Sequence, residues 1–142
     1  MKQGGLAAGI AVVLFLSGCA VMEPAPAPKV ERTIVLDNIL FDFGKAAITP
    51  EATQALDRLA AFLKENRGKR VELEGHTDAV GKESYNLRLS AKRTAAVKDY
   101  LVKRGIAASR ISVQGFGGIK PIADGKTEAG RARNRRVEIK VR

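Results

Sequence analysis

Hydrophobic and polar residues along the chain follow two periodicities, which together predict alternating strands and helices. In Arg70–His76, and again from Val137 to Val141, every second residue is apolar, which is typical of strands with one buried face. Between Pro50 and Leu63 the apolar residues recur three and four positions apart, as on one face of a helix. Thr49 is the predicted N-cap of this helix, with Pro50 at its first position.

The remaining elements complete a β-α-β-α-β-(α)-β order. Thr33–Phe43 and Ile111–Gly115 are predicted as strands, Tyr85–Arg104 as a helix closed by Gly105, and Ala123–Ala132 as an irregular segment with a short helical turn. Each predicted strand has one apolar and one polar face. This pattern predicts a two-layer α/β sandwich, with helices on one face of a four-stranded mixed sheet and water on the other.

The amino-terminal segment has the pattern of an export signal. Lys2 is followed by the uncharged apolar stretch Leu6–Leu16, which is long enough for a signal-peptide core and too short to span a bilayer as a helix. The motif Leu16-Ser17-Gly18-Cys19 resembles the bacterial lipobox, which implies fatty acylation of Cys19 and cleavage before it. Ala20 after the cysteine implies sorting to the outer membrane. The alternative is an ordinary signal peptide or a short anchor helix.

A Pro/Ala-rich segment separates this signal from the predicted domain. Glu23–Lys29 reads EPAPAPK, and alternating prolines exclude a helix and favour an extended polyproline II conformation. The predicted organisation is therefore a lipoprotein signal peptide at residues 1–18, a lipidated linker at residues 19–32 and a folded domain at residues 33–142.

The composition favours an anionic partner. The chain has 142 residues and a formal net charge of +10, which suits nucleic acid, an acidic membrane surface or a cell-wall polymer. Its single cysteine, Cys19, allows no intrachain disulfide.

Three groups of residues, in order, resemble the OmpA-like peptidoglycan-binding domain. The resemblance extends from about Asn38 to Val141, and the layout of lipobox, linker and domain is similar to that of peptidoglycan-associated lipoproteins. It implies an outer-membrane lipoprotein that binds peptidoglycan non-covalently and links the membrane to the cell wall. The matching segments are Ile39–Lys45, then Val71–Asp78 with Asn86–Val97, and finally Gly115–Gly117 with Gly130–Glu138.

The resemblance also implies a site for meso-diaminopimelate, whose side-chain end carries an ammonium and a carboxylate. Asp78 matches the family aspartate that binds the ammonium, and Arg93 matches the arginine that binds the carboxylate, a task that suits the planar guanidinium. No cofactor, metal or catalytic residue is implied. The other site residues implied by the resemblance are Asp42, Phe43, Thr77, Asn86 and Arg136.

Simpler structural interpretations remain for several of these residues. Asp78 suits a turn, and Arg93 suits a solvated helix surface or an ion pair with Asp99. His76, the single histidine, is predicted to have a structural role at the pocket rim. Most arginines between Arg131 and Arg136 suit a solvated basic patch.

Other classes of function fit the sequence less well. An enzyme is not expected, because one histidine and a lipidated cysteine leave no recognisable catalytic or metal-binding set. Nucleic-acid binding is not expected, because the predicted exposed strand positions include three acids and no stacking aromatic. A stator or porin subunit is not expected, since no membrane-spanning segment is recognised. Expected partners are peptidoglycan and the outer membrane, with periplasmic envelope proteins or a second copy left open.

Overall fold

The structure is a computed structural model that describes residues 24–26, 29, 31–37 and 46–142. The predicted signal peptide, Cys19, Asp42 and Phe43 lie outside these described residues. The boundaries predicted for the signal peptide, the linker and the domain therefore remain predictions. In the described part of the chain, no helix combines the length and the apolar character needed to cross a membrane.

The described elements confirm the predicted fold class, because helices cover one face of a four-stranded mixed sheet. The predicted optional helix near residue 130 is present as a short α-helix. The elements are β1 (Arg32–Asp37), α1 (Pro50–Glu65), β2 (Val71–His76), α2 (Glu83–Lys103), β3 (Ile111–Gly115), α3 (Glu128–Asn134) and β4 (Arg136–Val141), with a 3-10 turn at Ala108–Arg110.

The strand order is β1-β4-β2-β3, so the last strand of the chain lies inside the sheet. β4 is antiparallel to both β1 and β2, whereas β2 and β3 are parallel. Parallel neighbours require a crossover connection, which α2 supplies. As a result, the loop after β2 and the start of α2 lie at the same end of the sheet.

An aliphatic core lies between the helices and the sheet. Val71 and Leu73 of β2 pair in register with Val141 and Ile139 of β4, and all four are buried. The helical periodicity predicted for α1 is confirmed, since its apolar face supplies one side of the core. The buried helical and loop residues of the core are Leu56, Leu59, Ala60, Leu63, Val97, Leu101 and Ile106.

The helix boundaries follow from local chemistry. α1 begins at Pro50, as predicted, because the first turn of a helix loses nothing when the N–H of its first residue is absent. The side chain of Thr49 makes no capping hydrogen bond there. The α2 helix ends before Gly105, whose φ of 97° is in the left-handed region that favours glycine.

The polar face of the sheet is covered at one end, contrary to the expectation that water covers all of it. Glu74, His76 and Arg136 are each less than 10% exposed. The cause is the segment after β3, which folds across the end of β2. The ring of Phe116 stacks on His76 with centroids 5.4 Å apart, and Arg136 donates to the carbonyl oxygen of Lys120 at 3.3 Å.

Candidate functional site

A pocket of about 430 Å³ opens at the carboxyl end of β2. Its walls are the loop after β2, the first half of α2, and α3. It brings together four of the seven residues predicted for the ligand site, namely Thr77, Asp78, Asn86 and Arg93. Its other lining residues are Val80, Tyr85, Leu89, Glu128, Arg131 and Arg135.

Asp78 is held by the turn that follows β2. The backbone N–H of Thr77 donates to the carbonyl oxygen of Gly117 at 2.8 Å, which extends the pairing of strands beyond His76. One carboxylate oxygen of Asp78 accepts the backbone N–H of Val80 at 3.0 Å. Asp78 is therefore both a turn residue, as the simpler interpretation expects, and a residue of the pocket wall.

Asn86 fixes this turn against α2. Its buried side-chain amide donates to the carbonyl oxygen of Val80 at 2.9 Å and to that of Asp78 at 3.3 Å. Satisfied hydrogen bonds at a buried amide restrain both partners. Asn86 therefore positions the backbone that carries the carboxylate of Asp78.

Arg93 places a buried cation in the same pocket. It lies on α2 two turns after Asn86, and only 3% of its surface is exposed. Burial lowers the pKa of Arg93, and the charge of Arg135 lowers it further, while Tyr85 and Asp78 act in the opposite direction. A guanidinium remains charged despite such shifts, so the pocket holds a desolvated positive charge.

Arg135 was not predicted for the site, yet it joins both acids of the pocket. Its guanidinium donates to Asp78 at 2.9 Å and to Glu128 at 2.7 Å. Burial lowers the pKa of Arg135, but the hydrogen bonds and charges of these two carboxylates outweigh burial, and the net pKa is raised. Arg131 also donates to Glu128, at 3.1 Å.

Arg136 lies apart from the predicted site residues, on the other face of the sheet. α3 ends at Asn134, and β4 begins at Arg136, whose strand alternation turns it away from the helices. Its Nε donates to Glu138 at 2.7 Å. The arginine that lines the pocket is Arg135, the residue before it.

One feature of the sequence indicates the helix α3, which contributes residues to the pocket. Thr127 followed by Glu128 is typical of a helix start, and the hydroxyl of Thr127 does accept the N–H of Gly130 at 3.0 Å. A helix that begins there places Glu128, Arg131 and Arg135 on one face, at spacings of three and four residues. The segment Ala123–Ala132 was predicted as irregular with only a short helical turn, so these three residues were not predicted for the site.

The pocket suits a zwitterionic ligand. It contains the carboxylates of Asp78 and Glu128 as well as three guanidinium groups, and its wall also includes the apolar side chains of Val80 and Leu89. Among its lining residues there is no histidine, cysteine or serine. The arrangement can hold an ammonium and a carboxylate at fixed separation, and its lining offers no such nucleophile.

His76 lies on the opposite face of the sheet rather than at the pocket rim. One side-chain atom each of Glu74, His76 and Glu138 lies within 4.8 Å of the others. Lys140 contacts Glu74 at 2.8 Å, and Arg136 holds Glu138, so both carboxylates already have cationic partners. Burial, followed by the charge of Arg136, lowers the pKa of His76 to about 4. That the protein binds no metal remains a prediction from the sequence.

Comparison with known proteins identifies the family of the chain. A family model described as the OmpA family matches residues 40–135. The chain belongs to the OmpA family. It is 43% identical over 121 residues to outer membrane protein A of Bordetella avium, an alignment that covers 82% of this chain and 60% of that protein. The resemblance found in the sequence is thereby confirmed.

Two further proteins that the chain resembles have names that refer to peptidoglycan. The chain is 45% identical over 103 residues to the peptidoglycan-binding protein ArfA of Mycobacterium tuberculosis, covering 72% of this chain and 32% of that protein. The crystal structure of the peptidoglycan-associated lipoprotein from Burkholderia pseudomallei matches with a TM-score of 0.68 and 29% identity, over 79% of this chain and 91% of that chain. The chain thus spans 60% or less of the two sequence relatives.

Proposed function

We propose that this chain binds peptidoglycan non-covalently through the pocket at the end of β2, with meso-diaminopimelate of the peptide stem as the recognised group. The observation that carries the proposal is that Asp78 and Arg93, opposite in charge, line one pocket. The names of two relatives, a peptidoglycan-binding protein and a peptidoglycan-associated lipoprotein, support it. The family and the fold are those of a structural binding domain, not of an enzyme.

The ligand's two charges divide between the two residues. Its carboxylate pairs with the guanidinium of Arg93, and because that cation is desolvated, the attraction is stronger than it is for an exposed pair. Its ammonium pairs with the carboxylate of Asp78. The apolar side chains of Val80 and Leu89, which line the same pocket, suit the methylene groups that join this zwitterionic end to the peptide stem.

Arg135 adjusts the pocket to the ligand. In the structure it is shared between Asp78 and Glu128. When the ligand's ammonium takes up a position at Asp78, Arg135 can keep its contact with Glu128 and so does not lose both partners. This sharing lowers the cost of opening the ion pair, since a cation stripped of all partners in a partly buried site is costly.

In this proposed function the domain lies in the periplasm, held to the outer membrane by acyl chains on Cys19. The support is the lipobox-like motif and the extended Pro/Ala segment that follows it. An array of anchored domains facing a repeating polymer needs only modest affinity at each site. Such an array tethers the outer membrane to the cell wall.

Sedimentation with purified sacculi tests the pocket. The chain from residue 19 onward, carrying Cys19→Ser, keeps every described element and cannot be acylated. We expect Asp78→Asn and Arg93→Gln each to lower sacculus affinity by about tenfold or more, since each leaves one charge of the ligand without its partner. Arg88→Gln, an exposed substitution on α2 with the same change in net charge as Arg93→Gln, is the matched control for that variant and should bind like the unaltered chain.

The same assay separates site recognition from general basicity. If both pocket variants bind as well as Arg88→Gln, and salt removes all binding, then charge alone holds the wall and the proposal fails. Free meso-diaminopimelate should compete for the pocket, and sacculi with lysine in place of diaminopimelate should bind more weakly. Equal binding to both kinds of sacculus would remove diaminopimelate as the recognised group.

Lipidation has its own test. Cells that express the full chain with radiolabelled palmitate should label the protein and recover it in the outer-membrane fraction. Cys19→Ser should lose the label. Labelling that persists in this variant would contradict the assignment of Cys19.

A further inference from the structure

The end of the domain opposite the pocket carries a cavity of about 520 Å³ lined by Lys64, Arg67, Gly105, Ala107 and Arg110. We call this end the basic pole and define it by Lys64, Arg67 and Arg110. No acid lines the cavity, and among the described residues none of these three cations forms an ion pair.

The three cations differ in how firmly they are held. Arg110 donates to carbonyl oxygens of Leu63 and Asn66 at the end of α1 and to that of Lys69, each at 2.9 Å, and no carboxylate balances its charge. Lys64 and Arg67 are exposed, so their charges face solvent. Cations near helix carboxyl ends offset the helix dipole, yet this effect is small and leaves their charges available to a partner.

The basic pole and the ligand pocket face in opposite directions. β2 starts at Val71 beside the basic pole and ends at His76 beside the pocket, and at ~3.3 Å per residue these two residues lie roughly 17 Å apart. The pocket begins only beyond His76. A partner at one end therefore leaves the other end open.

The amino-terminal segment joins the domain at the basic pole. The backbone N–H of Glu31 donates to the carbonyl oxygen of Val141 at 2.9 Å, and its carboxylate pairs with Lys69 in the loop between α1 and β2. Two residues earlier, Lys29 adds an exposed cation. Any anchor upstream of Glu31 therefore attaches to the domain at this pole.

We infer that the basic pole binds the anionic phospholipid headgroups of the membrane in which the chain is anchored. This inference rests on the proposed function for the position of the anchor. The tether keeps the pole at high effective concentration near the bilayer, which favours the membrane over the wall as its partner. Each cation near an anionic surface raises the partition coefficient about fivefold, and the effect is screened by salt.

Vesicle sedimentation tests the inference. The chain from residue 19 with Cys19→Ser is mixed with vesicles of phosphatidylcholine alone or of phosphatidylcholine and phosphatidylglycerol in equal parts. Binding is expected only to the anionic vesicles. The double variant Lys64→Gln/Arg67→Gln should lower the partition coefficient roughly tenfold or more.

The matched control removes two exposed lysines at the pocket end, as Lys82→Gln/Lys126→Gln, with the same change in net charge. It should lower partitioning by less than about threefold if the pole orients the domain. Equal losses in the two double variants would show that net charge alone binds the vesicles, and absence of binding by the unaltered chain would also overturn the inference. Thermal unfolding checks that each variant is folded.

Failure of this inference is distinguishable from failure of the proposed function. Lys64→Gln/Arg67→Gln should bind sacculi as well as the unaltered chain does. Asp78→Asn should bind vesicles as well as the unaltered chain does. If the pocket binds sacculi but the basic pole does not bind vesicles, only the proposed membrane contact is excluded. If the basic pole binds vesicles but the pocket does not bind sacculi, only the proposed peptidoglycan site is excluded.

Discussion

His76 lies among two glutamates, an arginine and a lysine, yet neither ring nitrogen forms a hydrogen bond with any described residue. Its pKa is lowered from 6.5 to about 4, first by burial and then by the charge of Arg136. The folded protein therefore keeps this imidazole neutral, whereas the unfolded chain binds a proton near pH 6.5. The stability that depends on this residue is present above about pH 6.5 and is lost as the pH falls toward 4.

This linkage predicts the behaviour of His76→Phe, which keeps the stack on Phe116 and cannot be protonated. Between about pH 7 and pH 4, the free energy of unfolding of the unaltered chain should fall by about 3 kcal/mol more than that of the variant. Urea unfolding at a series of pH values measures the difference. Parallel curves for the two proteins would show that His76 is not the group that responds to acid.

Asn134, the last residue of α3, holds the segment after β3 through its side chain. Its side-chain oxygen accepts the backbone N–H groups of Ile122 and Ala123 at 2.8 and 2.9 Å, and its amide donates to the carbonyl oxygen of Ala123 at 3.0 Å. Asn134 thereby ties α3, which carries Glu128 and positions Arg135, to the segment after β3.

Asn134→Ala should therefore affect both stability and ligand binding. We expect a loss of about 1 to 3 kcal/mol in the free energy of unfolding, because two backbone donors and an acceptor lose their partners in a part-buried place. Sacculus binding should weaken even at temperatures where the variant is folded, since α3 forms one wall of the pocket. Destabilisation without any change in sacculus binding would indicate that α3 does not contribute to the site.

At the scale of elements, the packing of α2 on the sheet depends on glycines. A Cβ on Gly75 of β2 would overlap the carbonyl oxygen of Ser90 and lie 2.9 Å from the Cγ2 of Thr94. A Cβ on Gly115 of β3 would lie 2.8 Å from the backbone nitrogen of Ala91. The backbone of α2 therefore approaches both parallel strands more closely than a larger residue permits.

Gly75→Ala is expected to push α2 away from the sheet. The cost should be about 1 to 3 kcal/mol in the free energy of unfolding, as for other overpacked sites. Gly68→Ala is the matched control: no atom lies within 4 Å of its added Cβ, and its φ is not positive. Chemical unfolding of both variants measures the contrast, and similar values for the two would contradict this account of the packing.

Much of this architecture follows from periodicity, because a buried stripe leaves a regular trace in the sequence. The alternation in β2 and β4 and the spacing in α1 could be read directly. The junction at Asn134–Arg136 could not, since one residue decides whether an arginine faces the pocket or the other side of the sheet. That choice depends on where α3 stops and β4 starts, which periodicity does not resolve.

The burial of Glu74 and His76 could not be read from the sequence either. Their strand alternates regularly, and the alternation correctly puts them on the face away from the helices. Their burial is due to Phe116 and the residues that follow it, which fold over this face by tertiary contact. Patterns within a strand carry no information about a distant segment that covers it.

At the scale of the whole molecule, two charged ends of one sheet have separate proposed partners. The pocket contains both signs of charge at close range, which suits a specific zwitterion, whereas the basic pole has cations alone, which suit a diffuse anionic surface. Because the strands separate these ends, occupation of one should not hinder the other. A single domain can then contact wall and membrane at once.

Recruitment of vesicles to sacculi tests this joint occupation. Centrifugation at a speed that pellets sacculi and leaves phosphatidylglycerol-containing vesicles suspended should carry vesicles down when the unaltered, non-acylated chain is present. Asp78→Asn and Lys64→Gln/Arg67→Gln should each strongly reduce recruitment, the first by weakening binding to the wall and the second by weakening binding to the vesicle. If the unaltered chain binds each partner alone but never both together, the two ends compete, and a bridging arrangement is excluded. Recruitment that is undiminished in both variants would mean that neither end makes the contact assigned to it.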